Sequence, residues 1–167
     1  KSIEEIKSYN LEPVIYNFRL FELYAKQKTS FNIHLKLNTG MNRYGFNAEE
    51  LDDVLTLLQE NPQLKVKTVC SHLAASDEIE KDGYTLCQID LFEQLTYKLQ
   101  NELKTPFKRH ILNTNGMLRH PQHQMEMVRI GIGLYGISND ENLKQICRLE
   151  SAIAQIRNIK KGEKVGY

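Results

Sequence analysis

Tryptophan is absent from this 167-residue chain, and it holds only four prolines and three cysteines. Cys70, Cys87 and Cys147 are odd in number and widely spaced, which excludes a C-x-x-C metal or redox site and a disulfide framework. Reduced, mostly buried thiols are expected. An excess of charge of one sign is missing as well: 22 Lys+Arg against 21 Asp+Glu leave +1. No basic run supplies the patch that nucleic acid or an anionic membrane requires. No apolar run exceeds four residues, far short of the ~20 that cross a bilayer. The start, Lys1-Ser2-Ile3-Glu4-Glu5, has no apolar signal core. These absences predict a cytoplasmic protein without nucleic-acid or membrane partners. With 41% hydrophobic and 26% charged residues, the composition is that of a globular unit.

Short β-rich runs alternate with stretches of helical period, and no linker or low-complexity tract interrupts them. Ser2-x-x-Glu5 reads as a capping box ahead of a short helix with Ile3 and Ile6. Leu11 to Tyr16 is predicted as a strand, and Phe18 to Lys28 as a helix burying Phe18, Leu20, Phe21, Leu23 and Tyr24. A second strand, Phe31 to Asn38, precedes a glycine-punctuated loop, Thr39 to Gly45. Asn47 with Glu50 then caps a helix whose stripe is Leu51, Val54, Leu55 and Leu58. Lys65 to Leu73 is the third strand and Tyr84 to Leu103 the longest helix, with leucines at 91, 95, 99 and 103. Lys108 to Asn113 and Met127 to Ile132 are predicted as the fourth and fifth strands, and Glu150 to Ile156 as a last strand-like segment.

Strands joined by crossover helices make a parallel sheet, open or closed into a barrel. In the second strand Ile33, Leu35 and Leu37 alternate with His34, Lys36 and Asn38, so one face is apolar and the other ionisable. An open doubly wound sheet covers both faces with helices, whereas a barrel lines its interior and mouth with the second set. The strands end in polar chemistry: Ser71-His72, Asn113-Thr114-Asn115, and Arg129 inside the fifth. This edge, where parallel α/β proteins build their sites, favours the barrel. A chain of 167 residues fills a single domain, but an eight-stranded barrel typically takes ~250.

Gly131-Ile132-Gly133 brings backbone N–H groups toward an anion without a Cβ in the way, and Thr114 adds a hydroxyl. Taken alone, the glycines are explained more simply by a purely structural turn. Arg129, among Val128, Ile130 and Ile132, needs an acceptor: an anion, a ring nitrogen or a neighbouring carboxylate. His72 and His110 face the same mouth as candidates for a polar chain running inward. Lys36 and Arg43 repel unless an anion lies between them, one is modified, or Arg43 points to solvent.

Lys36 to Gly45, Ser71-His72-Leu73-Ala74, His110 to Thr114, and Val128 to Gly136 resemble, in that order, the successive motifs of the alanine racemases. The resemblance spans essentially the whole chain. It implies a TIM (β/α)8-type barrel that binds pyridoxal 5'-phosphate (PLP), here represented by about strands four to eight. Residues 1–148 would be the partial barrel and 149–167 the start of a C-terminal β-domain. It further implies interconversion of L- and D-alanine for the bacterial cell wall, by a homodimer. Arg129 resembles the arginine at the pyridine nitrogen, where a fixed positive charge disfavours ring protonation and weakens the electron sink. His72 resembles the histidine against the ring, and His110 the one behind it. Asn113, Thr114, Gly131 and Ile132 fit the phosphate pocket. Lys36 matches a lysine that is often carbamylated, and Arg43 the arginine that meets it and reaches the cofactor oxygen and substrate carboxylate. Asn38 departs from the usual aspartate and Thr114 from the usual serine. Residues 127–136 are also similar to racemases fused behind a cell-wall peptide ligase.

The same resemblance places the lysine that holds the cofactor upstream and the catalytic tyrosine downstream of these residues. The isolated chain is therefore expected to be inactive, and Tyr167 resembles a tyrosine at the start of the β-domain rather than the base. A decarboxylase of this fold sets a carboxylate at the ring nitrogen, against which Arg129 argues. A racemase for another amino acid, or a non-enzymatic PLP carrier, stands as the alternative.

Overall fold

The structure, a computed structural model, describes residues 2–137 and 140–166. It opens on α1 (Ile3–Ser8), whose capping box is formed: Ser2 Oγ accepts from Glu5 N at 3.2 Å, and Ser2 N donates to Glu5 Oε2 at 2.8 Å. Three β–α units follow. β1 (Val14–Ile15) leads to α2 (Phe18–Ala25), β2 (Phe31–Lys36) to α3 (Leu51–Glu60), and β3 (Leu64–Cys70) to α4 (Asp82–Leu103). β4 (Lys108–His110) closes the series ahead of α5 (Thr114–Arg119). The strands form one four-stranded parallel sheet in the order β1-β2-β3-β4.

Alternation along β2 divides the sheet as expected. Ile33, Leu35 and Leu37 are buried against the helices, in a core with Phe21, Leu51, Val54, Phe92 and Leu99. Asn32, His34 and Lys36 stand half-buried on the opposite face. The α4 stripe differs from the run of leucines at every fourth position: its buried face is Thr85, Gln88, Ile89, Phe92, Leu95, Thr96 and Leu99. A spacing of four drifts around a helix of 3.6 residues per turn, and Leu91 and Leu103 end up only partly buried.

Among the described residues four strands form rather than five. Met127 to Ile132 runs beside β4, with Met127 N donating to Arg109 O and Arg129 N to Leu112 O, but it is not a strand. Arg109 N is taken instead by the Glu126 carboxylate at 2.7 Å, so no continuous ladder develops. Ile132–Tyr135 then turns into a short 3-10 helix. The other differences are at boundaries. The first strand shrinks to Val14–Ile15, α2 stops at Ala25 with Leu23 exposed, and β4 ends at His110 because Asn113 starts α5. Glu150 to Ile156 forms no strand; its side chains are exposed, Ile153 and Ile156 included. Having no neighbouring strand, that segment has nothing to pair with. Of the cysteines only Cys70 is buried, since Cys87 and Cys147 fall on exposed positions. Tyr167 lies outside the described residues. Among the described residues no helix is long and apolar enough to cross a membrane.

The loop after β2 is folded back on its own strand: Phe46 N donates to Lys36 O and Asn38 N to Phe46 O. Gly45 allows this, with φ +121° and its Cβ position only 2.5 Å from the Leu37 carbonyl carbon. Gly45→Ala is expected to cost about 2 kcal/mol, from left-handed strain plus backbone collision. Urea unfolding measures it, and a cost under ~0.5 kcal/mol would show that the loop relaxes freely.

Candidate active site

The site begins at the C-terminal ends of β3 and β4, where the chain leaves the sheet. Ser71 N still donates to His110 O across the two ends, at 3.2 Å. Gln88, on α4 and only 1% exposed, clamps the segment after β3: Ala74 N donates to its Oε1 at 2.9 Å and its Nε2 donates to His72 O at 3.2 Å. Ser71 Oγ donates to Leu37 O at 2.9 Å and meets Thr39 Oγ1 at 2.8 Å, tying this turn to the end of β2.

Arg129 lies across these ends. One terminal nitrogen, Nη1, donates to His110 O at 3.1 Å and to the His110 ring at Nδ1. The other, Nη2, donates to Ser71 O at 2.7 Å, Ile111 O at 3.2 Å and His72 Nδ1 at 3.0 Å. Among the described residues Nε–H has no such partner, so one guanidinium donor is left for a ligand. An arginine can only donate, so both imidazoles present a bare Nδ1 to it and carry their proton on Nε2. Burial, and then the Arg129 charge, push the His110 pKa down to about 4. His72 is lowered by burial first, then by Arg129, Lys36 and Arg43. Both rings are therefore neutral at neutral pH.

Thr114 stands beside this anchor, 3% exposed, in the first turn of α5. Asn113 caps that helix, its Oδ1 accepting from Gly116 N at 2.9 Å and from Ser76 Oγ at 2.8 Å. Gly131 N and Gly133 N both donate to Thr114 Oγ1, at 3.0 and 3.2 Å. A hydroxyl that accepts twice keeps its own proton to donate. Gly133 permits the approach, because a Cβ there would sit 2.6 Å from Thr114 Cγ2.

A cavity of about 310 Å³ opens over these groups, lined by His72, Asn113, Thr114, Arg129, Gly131 and Ile132 together with Asn115 and Ile130. Among the described residues no carboxylate lines it, which suits an anion. Of the candidates from the sequence, six thus share one cavity, and His110 sits behind Arg129. Lys36 and Arg43 do not line it. Lys36 is half-buried at the end of β2 and Arg43 is exposed in the following loop. Among the described residues no hydrogen bond or ion pair joins them; both act on His72 only through space. Sequence reasoning missed Gln88, Thr68 and the capping role of Asn113. Asn before Thr114 was a usable cap signal, obscured by Gly116 inside the helix.

Parallel strands joined by crossover helices, with an anion-suited cavity at their C-terminal edge, define part of an α/β barrel. The chain belongs to the alanine racemase family: residues 1–139 match the model described as alanine racemase, N-terminal domain. Alanine racemase of Sorangium cellulosum is 35% identical over 173 residues, covering 98% of this chain and 45% of that protein. The crystal structure of alanine racemase from Corynebacterium glutamicum aligns with TM-score 0.79 at 21% identity, over 87% of this chain and 43% of its own. That from Bartonella henselae, described with covalently bound pyridoxal phosphate, gives 0.72 at 21% identity, over 87% and 41%. The chain spans about half the length of the curated relatives it matches.

Proposed function

We propose that this chain supplies the ring-nitrogen and phosphate ends of the PLP site in an alanine racemase that interconverts L- and D-alanine for peptidoglycan synthesis. The observation that carries it is the anchoring of Arg129 by three carbonyls and two imidazoles beside the Thr114–Gly131 turn. PLP, when bound, withdraws electrons from the α-carbon of an amino acid. Arg129 Nε–H would meet the pyridine nitrogen, and its fixed charge would keep that nitrogen unprotonated, favouring return of a proton over other outcomes. Thr114 Oγ1–H and the amide of Ile132 would hold the phosphate, with Gly131 and Asn113 shaping the turn. His72 would pack against the ring, excluding water from it. Lys36, carbamylated, would orient Arg43 toward the substrate carboxylate.

Among the described residues no lysine lines the cavity to hold the cofactor covalently, so the isolated chain binds PLP weakly and does not racemise alanine. In the parent enzyme residues 1–148 belong to the barrel and 149–167 open a β-rich domain, in a cytoplasmic homodimer.

The test uses pyridoxine 5'-phosphate, which lacks the aldehyde and so cannot bond to surface lysines. Titration followed by the phosphorus resonance is expected to show saturable binding that Thr114→Val and Arg129→Met each weaken about tenfold, ~1.4 kcal/mol. No saturation at millimolar ligand, or an affinity in both variants equal to that of the unsubstituted chain, counts against the proposal.

A further inference from the structure

His110 has a second ring nitrogen, and its partner opens a path across the inner face of the sheet. His110 Nε2 lies 3.2 Å from Thr68 Oγ1 on β3, and that oxygen lies 2.6 Å from His34 Nδ1 on β2. His34 Nε2 in turn lies 3.1 Å from Glu12 Oε2. Glu12, in the segment before β1, is steadied by Asn32 Nδ2, which donates to its other oxygen at 3.0 Å. Five side chains from five segments thus form one connected line: Arg129, His110, Thr68, His34 and Glu12.

Both ends impose the direction of this line. Arg129 can only donate, so His110 accepts at Nδ1 and must donate from Nε2 to Thr68. The Thr68 hydroxyl then keeps its proton for His34 Nδ1. That leaves the His34 proton on Nε2, facing a carboxylate that can only accept. The opposite arrangement, with His34 donating from Nδ1, strands the threonine proton and turns a bare ring nitrogen toward the carboxylate. Thr68 and His110 are buried, at 5% and 8% exposed, so broken links there are not simply replaced by water.

We propose that Glu12, His34 and Thr68 are positioning residues that hold His110 in the one tautomer able to accept from Arg129, and thereby fix the guanidinium at the cavity. With the other tautomer an N–H would face the Arg129 N–H, and the guanidinium would lose a partner. The relay is a property of this chain alone. Its relevance to a bound cofactor rests on the function proposed above.

Ring-nitrogen correlations of the 15N-labelled chain near pH 8, without ligand, test it. His34 and His110 are both expected to show protonated Nε2 and bare Nδ1. Glu12 is surface-accessible, so Glu12→Ala leaves the fold intact, and it is expected to shift the ring nitrogens of His34 and also of His110. In a Thr68→Val background the same change reaches His34 but no longer His110, whereas Thr68→Ser transmits it as the parent does. A predominant Nδ1–H form of either ring, or a His110 signal unmoved by Glu12→Ala, overturns the relay. Because no ligand is present, such a failure is separate from a failure of pyridoxine 5'-phosphate to bind.

Discussion

Arg129→Leu is expected to lower the stability of the chain by about 3–4 kcal/mol, with Arg129→Lys falling between it and the parent. The carbonyls of Ser71, His110 and Ile111 and the Nδ1 atoms of His72 and His110 all lose their donor at once. Each hydrogen bond to a charged group is worth ~1.5–3 kcal/mol, but the sum is reduced because the guanidinium no longer needs desolvating. Burial already pulls the Arg129 pKa below its usual range, a sign that this cost is real. Lysine brings three donors on one nitrogen and cannot span both histidines, so the recovery is partial. Urea unfolding at pH 7.5 measures the effect. A loss below ~1 kcal/mol in Arg129→Leu would mean that the carbonyls find other donors and that the anchor is not the organising contact.

Acidification gives the second large effect. His110, 8% exposed, titrates at about 4 in the folded chain, against 6.5 for the free group. Above pH 6.5 both forms are neutral and stability is complete. As the pH falls from 6.5 toward 4 the unfolded chain takes up a proton that the folded chain refuses, and stability drops. Below about 4 both forms carry it and this loss stops. The 2.5-unit gap amounts to about 3 kcal/mol. His72 is lowered in the same direction and adds to the slope. Glu126 acts lower on the scale: Arg109 holds its carboxyl below the usual range, so its contribution fades only as the pH falls through that lowered value. His110→Asn keeps an acceptor near the Nδ1 position but does not titrate, and should flatten the curve between pH 6.5 and 4. An unchanged slope in that variant would place the acid sensitivity elsewhere. Arg129→Leu should shrink the same slope without abolishing it, since Arg129 is the second cause of the His110 shift and burial the first.

The legible parts of the fold are those in which neighbours in sequence satisfy one another. Ser2 and Glu5 cap α1 reciprocally, and Leu51, Val54, Leu55 and Leu58 fall on one face of α3. The alternation of β2 told its two faces apart because a strand has a strict period of two. Residues 127–132 have the composition of a strand yet form none, because the decision lay with Glu126, whose carboxylate took Arg109 N from the would-be ladder. Gln88 and Thr85 interrupt the apolar stripe of α4, and only the segment after β3, folded against that helix, shows why glutamine belongs there.

What the sequence alone determined is the alternation of strands and helices, the polar ends of the strands and the presence there of residues able to meet an anion. These follow from periodicity, capping and side-chain chemistry, all local. The tertiary structure alone decided that Arg129 reaches Ser71 and His72 nearly sixty residues earlier in the chain, that Thr114 draws in both glycine amides, and that Thr68 bridges two histidines. Directions of donation and acceptance across strands depend on sheet register and on which protons are already committed, and neither is written into a stretch of residues short enough to read by pattern.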